Sequence, residues 1–411
     1  MAVLAMAMVM AACSGDDGGG DDGGADVSSD ATEQGGDAGS GGTCDDGDPL
    51  LIGAVLDITG AVAEVSQQQQ EGMEIAVEEI NAGDGVLGRC VELVVQDSQN
   101  DPTQAATVTR ELIDRDEVDV LVGPVNSGPQ GASIEVSRET DTLHVVGALA
   151  PIDYEEFPFV FRNEFASQQV GPGFVSFAEE LGADAIGILA SNDAFGTSIA
   201  DAVQATAEET GAEITAVEFF DPQSVDLLPQ VRAVRDSGAE VVVSVITGQA
   251  GISALSARQE LGWDAPVLGF SGIATPEIIE GVGEEAMDGV YVTLNYDNLV
   301  RSEGESQPSD EAVQAFIETL KEFRGEDPLT LNVQWPAGGY DMVMMLADAI
   351  EGAGDVDAEA VRQQLYDNGY DALKADYEAE PGDHDLIPDD ALAFVVAGTL
   401  EDGTLERVET E

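Results

Sequence analysis

Lysine is almost missing from this chain: Lys321 and Lys374 are the only two in 411 residues, and only two histidines and three cysteines stand beside them. With 14 basic residues against 82 acidic ones the formal net charge is −68, a surface that repels nucleic acid and anionic lipid head groups and excludes both as partners. The bland use of so many carboxylates is solvation, in a habitat whose salt screens their repulsion. Metal binding has no support either, because the acids show no ordered ligand spacing, and the acidic, glycine-rich DDGGGDDGG stretch lacks the regular positions and closing Glu of a calcium loop. Enzyme chemistry is equally short of parts. No Gly-x-Ser-x-Gly elbow, His-Glu-x-x-His pair or Walker loop occurs, His144 opens a buried strand and His384 lies in an acidic loop. We expect no catalytic residue and no cofactor.

What the chain does have is a repeated pattern. LIGAVLDITG, EGMEIAVEEINAGDGVLGR, VELVVQDSQNDP, a second helical stretch and DVLVGPVNSG make two consecutive βαβ units between residues 51 and 128. The strands read as near-continuous apolar runs, as strands covered on both faces do. Ligands of open α/β sheets sit outside the carboxyl ends of the strands, so the loops 57–61 and 123–128 are the first places to look. After FPFVFRNEF the same logic repeats, with strands AIGILASND, ITAVEFF, EVVVSVITG and PVLGF separated by helices near 168–181, 197–210, 225–236 and 251–261. Two doubly wound sheets are expected, facing each other across a cleft. The methionines 342, 344 and 345, at helical spacing, are core filler.

GMEIAVEEINA, the GVLGR turn, QDSQNDP, VDVLVGPVNSG and EEAMDGVYVT, in that order over residues 50–405, resemble the solute-binding proteins of branched-chain amino acid ABC importers, of the type I periplasmic-binding fold. The resemblance implies two Rossmann-like lobes joined by crossover strands: lobe 1 from 48–161 with about 297–383, lobe 2 from 162–296 with about 384–411. It implies capture of a small-molecule solute and delivery to permease and ATPase subunits. By the same resemblance the ligand contacts fall on Asn126, Ser127, Ala148, Leu149, Ala150, Phe195, Ser271 and Trp335, with Ser127 where the family binds a ligand carboxylate. Val65 stands where the family has a tyrosine, and Ser167 and Ser271 where its amino-acid binders carry the acids that hold the ligand ammonium. A buried ammonium without a counter-charge is strongly disfavoured, so a carboxylate or amide is expected in place of a branched-chain amino acid. A ligand-sensing receptor subunit on the same fold is the alternative, and a hydrolase using an unrecognised carboxylate pair a more distant one.

The amino terminus points outward. Residues 1–12 form an apolar stretch too short to span a bilayer, and Met10-Ala11-Ala12-Cys13 resembles a lipoprotein cleavage site with Cys13 as the lipidated residue, although no Lys or Arg precedes it. Residues 13–47, mostly Gly, Asp, Ser, Ala and Thr, cannot bury apolar surface and read as a tether. The expected location is extracytoplasmic, with the lipid anchor as the only membrane contact. Cys44 and Cys90 precede two strands that would be parallel neighbours, which brings their amino ends to bonding distance for a disulfide.

Overall fold

The structure is a computed structural model that describes residues 44–60, 62–296, 299, 310–325, 333–388 and 391–396. The proposed signal, Cys13 and most of the tether lie outside the described residues, as does the end of the chain beyond residue 396.

The first sheet is built from β1 (Asp45–Leu56), β2 (Arg89–Asp97), β3 (Val120–Val122), β4 (His144–Val146) and β5 (Val160–Arg162), separated by α1 (Ala63–Ala82), α2 (Pro102–Asp114) and α3 (Ser127–Glu139). Its strand order is β2-β1-β3-β4-β5, parallel throughout. From α4 (Ser167–Glu180) the chain runs on through β6 (Ala185–Ser191), α5 (Ala194–Thr210), β7 (Glu213–Phe220), α6 (Leu228–Asp236), β8 (Val241–Val245), α7 (Gly248–Glu260), β9 (Val267–Phe270), α8 (Pro276–Val282) and β10 (Val290–Tyr296). These strands order as β7-β6-β8-β9-β10, the same winding as the first sheet, and β13 (Leu392–Val396) closes the edge antiparallel to β10. In each sheet the order reverses beside the first strand. A crevice therefore opens at the carboxyl ends of β1 and β3 in one lobe and of β6 and β8 in the other.

Between β10 and β13 lie α9 (Glu311–Arg324), α10 (Gln334–Ala353), α11 (Ala358–Asn368) and the small hairpin β11 (Tyr370–Asp371) and β12 (Asp376–Tyr377). Helix α10 crosses α1 so closely that a Cβ added at Gly72 would lie 1.8 Å from the Pro336 carbonyl oxygen, and one added at Gly339 would lie 1.9 Å from that of Gln69. Two glycines facing each other let the helix axes approach, which seats Met73, Met342 and Met345 in the core. Met344 packs against the same core from its edge.

Cys44 and Cys90 are joined in a disulfide, with Cα atoms 5.0 Å apart. His144 is fully buried between the Ser137 hydroxyl and the Gly123 carbonyl, and burial lowers its pKa to about 4, which suits a neutral core histidine. His384 is not the solvated loop residue its acidic neighbours suggest. It is buried, its ring stacks on Phe161 at 4.5 Å, Nδ1 lies 2.8 Å from the Val160 carbonyl and Nε2 lies 2.6 Å from the Tyr366 hydroxyl. The segment around it runs along β5: Arg162 N donates to His384 O at 3.0 Å and Leu386 N donates to Arg162 O at 2.9 Å.

Candidate functional site

Between the carboxyl ends of the two sheets lies a half-open cavity. Val62, Val65, Val125, Asn126, Ser127 and Leu149 line it from the first lobe, Phe195, Thr247, Phe270 and Gly272 from the second, and Trp335 from the first turn of α10. Among the described residues, no acidic or basic side chain stands in that lining.

The loop that carries Ser127 has its shape for local reasons. Gly123 leaves β3 at φ +82°, where a Cβ would lie 2.0 Å from the Val55 carbonyl, so only glycine turns there without strain. Asn126 then caps α3, its Oδ1 accepting from Gly128 N at 3.2 Å. This cap starts α3 at Ser127. Ser127 Oγ accepts two backbone donors, Leu149 N at 3.2 Å and Ala150 N at 3.1 Å. A hydroxyl has two acceptor lone pairs and one proton. Both lone pairs are in use, and the proton finds no acceptor among the described residues, so the hydroxyl is an unspent donor at the cavity wall.

Beneath this loop sits Asp57, at the end of β1 and fully buried. Ser98 donates its hydroxyl to Asp57 Oδ1, Asn126 N donates to Oδ2 at 3.3 Å, and the Val125 N–H points to the same carboxylate. Its own N–H donates to Ser66 Oγ at 3.1 Å. No Lys or Arg pairs with it among the described residues; burial, with Asp97 adding a like charge, outweighs these hydrogen bonds and pushes its pKa up to about 6.

The other walls are apolar by construction. Asp193 caps α5, accepting from Gly196 N at 2.9 Å and from Ser191 Oγ at 2.7 Å, and this presents Phe195 against Phe270 with ring centroids 5.2 Å apart. Phe174 braces Phe270 from behind, edge-on at 5.4 Å. Trp335 is placed by the α1–α10 crossing described above. At the rim, Glu64 from the first turn of α1 reaches across to the Thr275 hydroxyl, which caps α8, and faces Glu277; burial and that like charge raise its pKa.

Of the sequence-predicted contacts, Asn126, Ser127, Leu149, Phe195 and Trp335 come together on one cavity. Ala148 is fully buried behind the wall, and Ala150 lies outside the lining, its N–H on Ser127 and its carbonyl accepting from Arg162 Nη2 at 2.6 Å. Ser271 opens the short 3-10 turn Ser271–Ile273, next to the lining Gly272. Ser167 is buried at the start of α4, its N–H donating to the Leu149 carbonyl at 3.0 Å. Sequence reasoning passed over Val62, Thr247, Phe270 and Gly272, while Val125 lies in the 123–128 loop it singled out. Thr247 and Gly272 follow the ends of β8 and β9, so the strand-end rule that singled out Ser127 would have found them in the second lobe.

Residues 49–399 match the family described as periplasmic binding protein. A leucine-, isoleucine-, valine-, threonine- and alanine-binding protein of Pseudomonas aeruginosa is 28% identical over 328 residues, covering 79% of this chain and 84% of the relative. Among solved structures, a leucine-binding protein from Thermotoga maritima superposes with a TM-score of 0.76 at 24% identity, over 88% of this chain and 98% of that one. An ABC-transporter solute-binding protein of Rhodopseudomonas palustris, solved with 3,4-dihydroxybenzoic acid, gives 0.74 at 18% identity, over 87% and 95%. At those identities the two structures speak for the fold, two α/β lobes about a cleft; the match along nearly the whole folded chain speaks for more. This chain belongs to the periplasmic binding protein family.

Proposed function

We propose that this binding protein takes a solute with a hydrogen-bond-accepting head group, a carboxylate or an amide, on an apolar or aromatic body, and that an α-amino acid is not its ligand. The observation that carries this reading is the Ser127 hydroxyl, whose only unspent function is donation, set in a wall without a charged side chain. A ligand ammonium would find no counter-charge there, since serines occupy positions 167 and 271 and the rim acid Glu64 is engaged with Thr275. Phe195, Phe270 and Trp335 supply flat apolar surface for the body of the ligand. We take Ala148 and Ala150 to shape the backbone behind Ser127, and Ser271 to contact the ligand from the second lobe.

We further propose that the solute is passed to permease and ATPase subunits, that Cys13 carries the lipid, and that residues 14–47 are the tether. The lobes are taken as 48–161 with about 297–383 and 162–296 with about 384–411, a division supported by the two sheets and by the packing of α10 on α1.

A thermal-shift screen of the folded chain against amino acids, amides, aliphatic and aromatic carboxylates tests the reading. A ligand at 100 times its Kd adds about 2.7 kcal/mol of stability, a shift of several degrees. The largest shift is expected from an acid or amide without an α-amino group; leucine, isoleucine or valine in first place would refute it.

A further inference from the structure

We propose that Asp57 sets the charge preference of the cleft: lying beneath the loop that presents Ser127, it makes an uncharged head group, an amide or other neutral carbonyl, the preferred class of ligand at neutral pH, and a carboxylate binds with uptake of one proton from solvent onto Asp57. The inference rests on the solute reading above and divides the two head groups which that reading leaves together.

The geometry carries it. Asp57 takes the Asn126 N–H and draws on that of Val125, two donors of the loop that leads into α3. The loop thus already holds an internal carboxylate, and the side chain it offers the cavity is one neutral hydroxyl. Asn126, which donates to Asp57, is the immediate neighbour of Ser127, so a ligand carboxylate on Ser127 would place a second negative charge close to the first. The charged group facing Asp57 from β2 is Asp97, of the same sign, while α1 faces it with the neutral Ser66 and the β2–α2 turn with the neutral Ser98. Among the described residues no cation faces Asp57 to absorb the repulsion, so its protonation is the available relief.

Protonation keeps the bond between the two side chains: Ser98 donates to Asp57 Oδ1 now, and its hydroxyl can turn its proton away and accept from a protonated Oδ1, while Oδ2 keeps the Asn126 N–H. The group is already poised, since burial holds its pKa at about 6 in the empty cleft. A bound anion raises that value, so the complex holds more protons than the free protein and anion affinity grows as pH falls. The window lies between the raised value and about 6; below it Asp57 is protonated in both states and the dependence ends. A neutral ligand does not move the value and has no such window.

Matched probes read this directly. Benzoate and benzamide, and 4-methylpentanoate and 4-methylpentanamide, are titrated calorimetrically into the protein at pH 5.5, 6.5 and 7.5 in buffers of different ionisation enthalpy. From pH 7.5 to 6.5 the carboxylate Kd is expected to fall by about three- to tenfold, with close to one proton taken up per anion, while the amide Kd stays within about twofold. Asp57→Asn is expected to bind the carboxylate more tightly than the parent at pH 7.5 and to lose the slope. Should this variant fail to fold, the proton count on the parent protein decides. A carboxylate Kd that is flat with pH, or a variant that weakens acid and amide equally at every pH, overturns the inference and leaves the solute reading standing. If neither member of either pair binds at any pH, the solute reading fails and takes the inference with it.

Discussion

Substituting Gly72→Ala adds a single methyl group at the point where α1 and α10 touch. Its carbon would lie 1.8 Å from the Pro336 carbonyl oxygen and 2.9 Å from Tyr340 N. Both are backbone atoms that no rotamer change can move aside, and to reach an ordinary contact of 3.4 Å the helices must separate by about 1.6 Å. Separation thins the packing of Met73 against Met342, both now fully buried, and overpacking of this kind costs about 1–3 kcal/mol or more. Alanine returns about 1 kcal/mol through its better helix propensity. Set against that return, the net loss should reach about 2 kcal/mol, read as a fall in melting temperature of up to about 4 °C at unchanged secondary structure by circular dichroism. Because Trp335 starts the displaced helix, its fluorescence and the ligand affinity should change together with stability. A variant as stable as the parent, or one less stable with Trp335 emission and affinity untouched, would show that this crossing does not place the aromatic wall.

Ser127→Ala removes the unspent donor and strands the N–H groups of Leu149 and Ala150; we expect ligand affinity to drop at least tenfold and stability by about 1–3 kcal/mol, from calorimetry and urea unfolding. Opening the Cys44–Cys90 bridge frees a loop with a sequence separation of 46 and should cost about 4 kcal/mol in the chain-entropy model; thiol labelling of the unreduced folded protein should modify neither cysteine, and labelling of both would mean that the bridge is not formed. At the rim, Glu64 has its pKa raised by burial and by Glu277 where the lobes meet, so lowering the pH through that raised value should favour the joined rim; Glu64→Gln should tighten a neutral ligand by about two- to threefold at pH 7 and remove its residual pH dependence, and equal Kd values for parent and variant would rule this out.

Much of this molecule is legible in its sequence for a plain physical reason. Strands buried on both faces must be apolar throughout, so β1, β2, β3, β6 and β8 stand out as unbroken runs, and the turns between them carry the glycines that end helices. Where a side chain's surroundings come from distant segments, legibility stops. His384 sits among Asp383, Asp385 and Gly382 in the sequence, yet Phe161 and Tyr366, from two other parts of the chain, make it a core residue. Asp57 looks like one more carboxylate among 82, and nothing near it in sequence shows that Ser98 and the 125–126 loop will close over it.

The pairing of β5 with the segment around His384 constrains how one lobe can move. Arg162 is held on both sides, its backbone by residues 384 and 386 and its guanidinium by an ion pair to Asp385 at 3.4 Å, and Lys374 Nζ fixes the next turn of chain through the Asn163 carbonyl at 2.7 Å. Two strands fastened side by side bend like the leaf of a door and resist twisting against each other. Any change in the angle between the first sheet and the chain that follows Arg162 is then expected to carry both segments along as one.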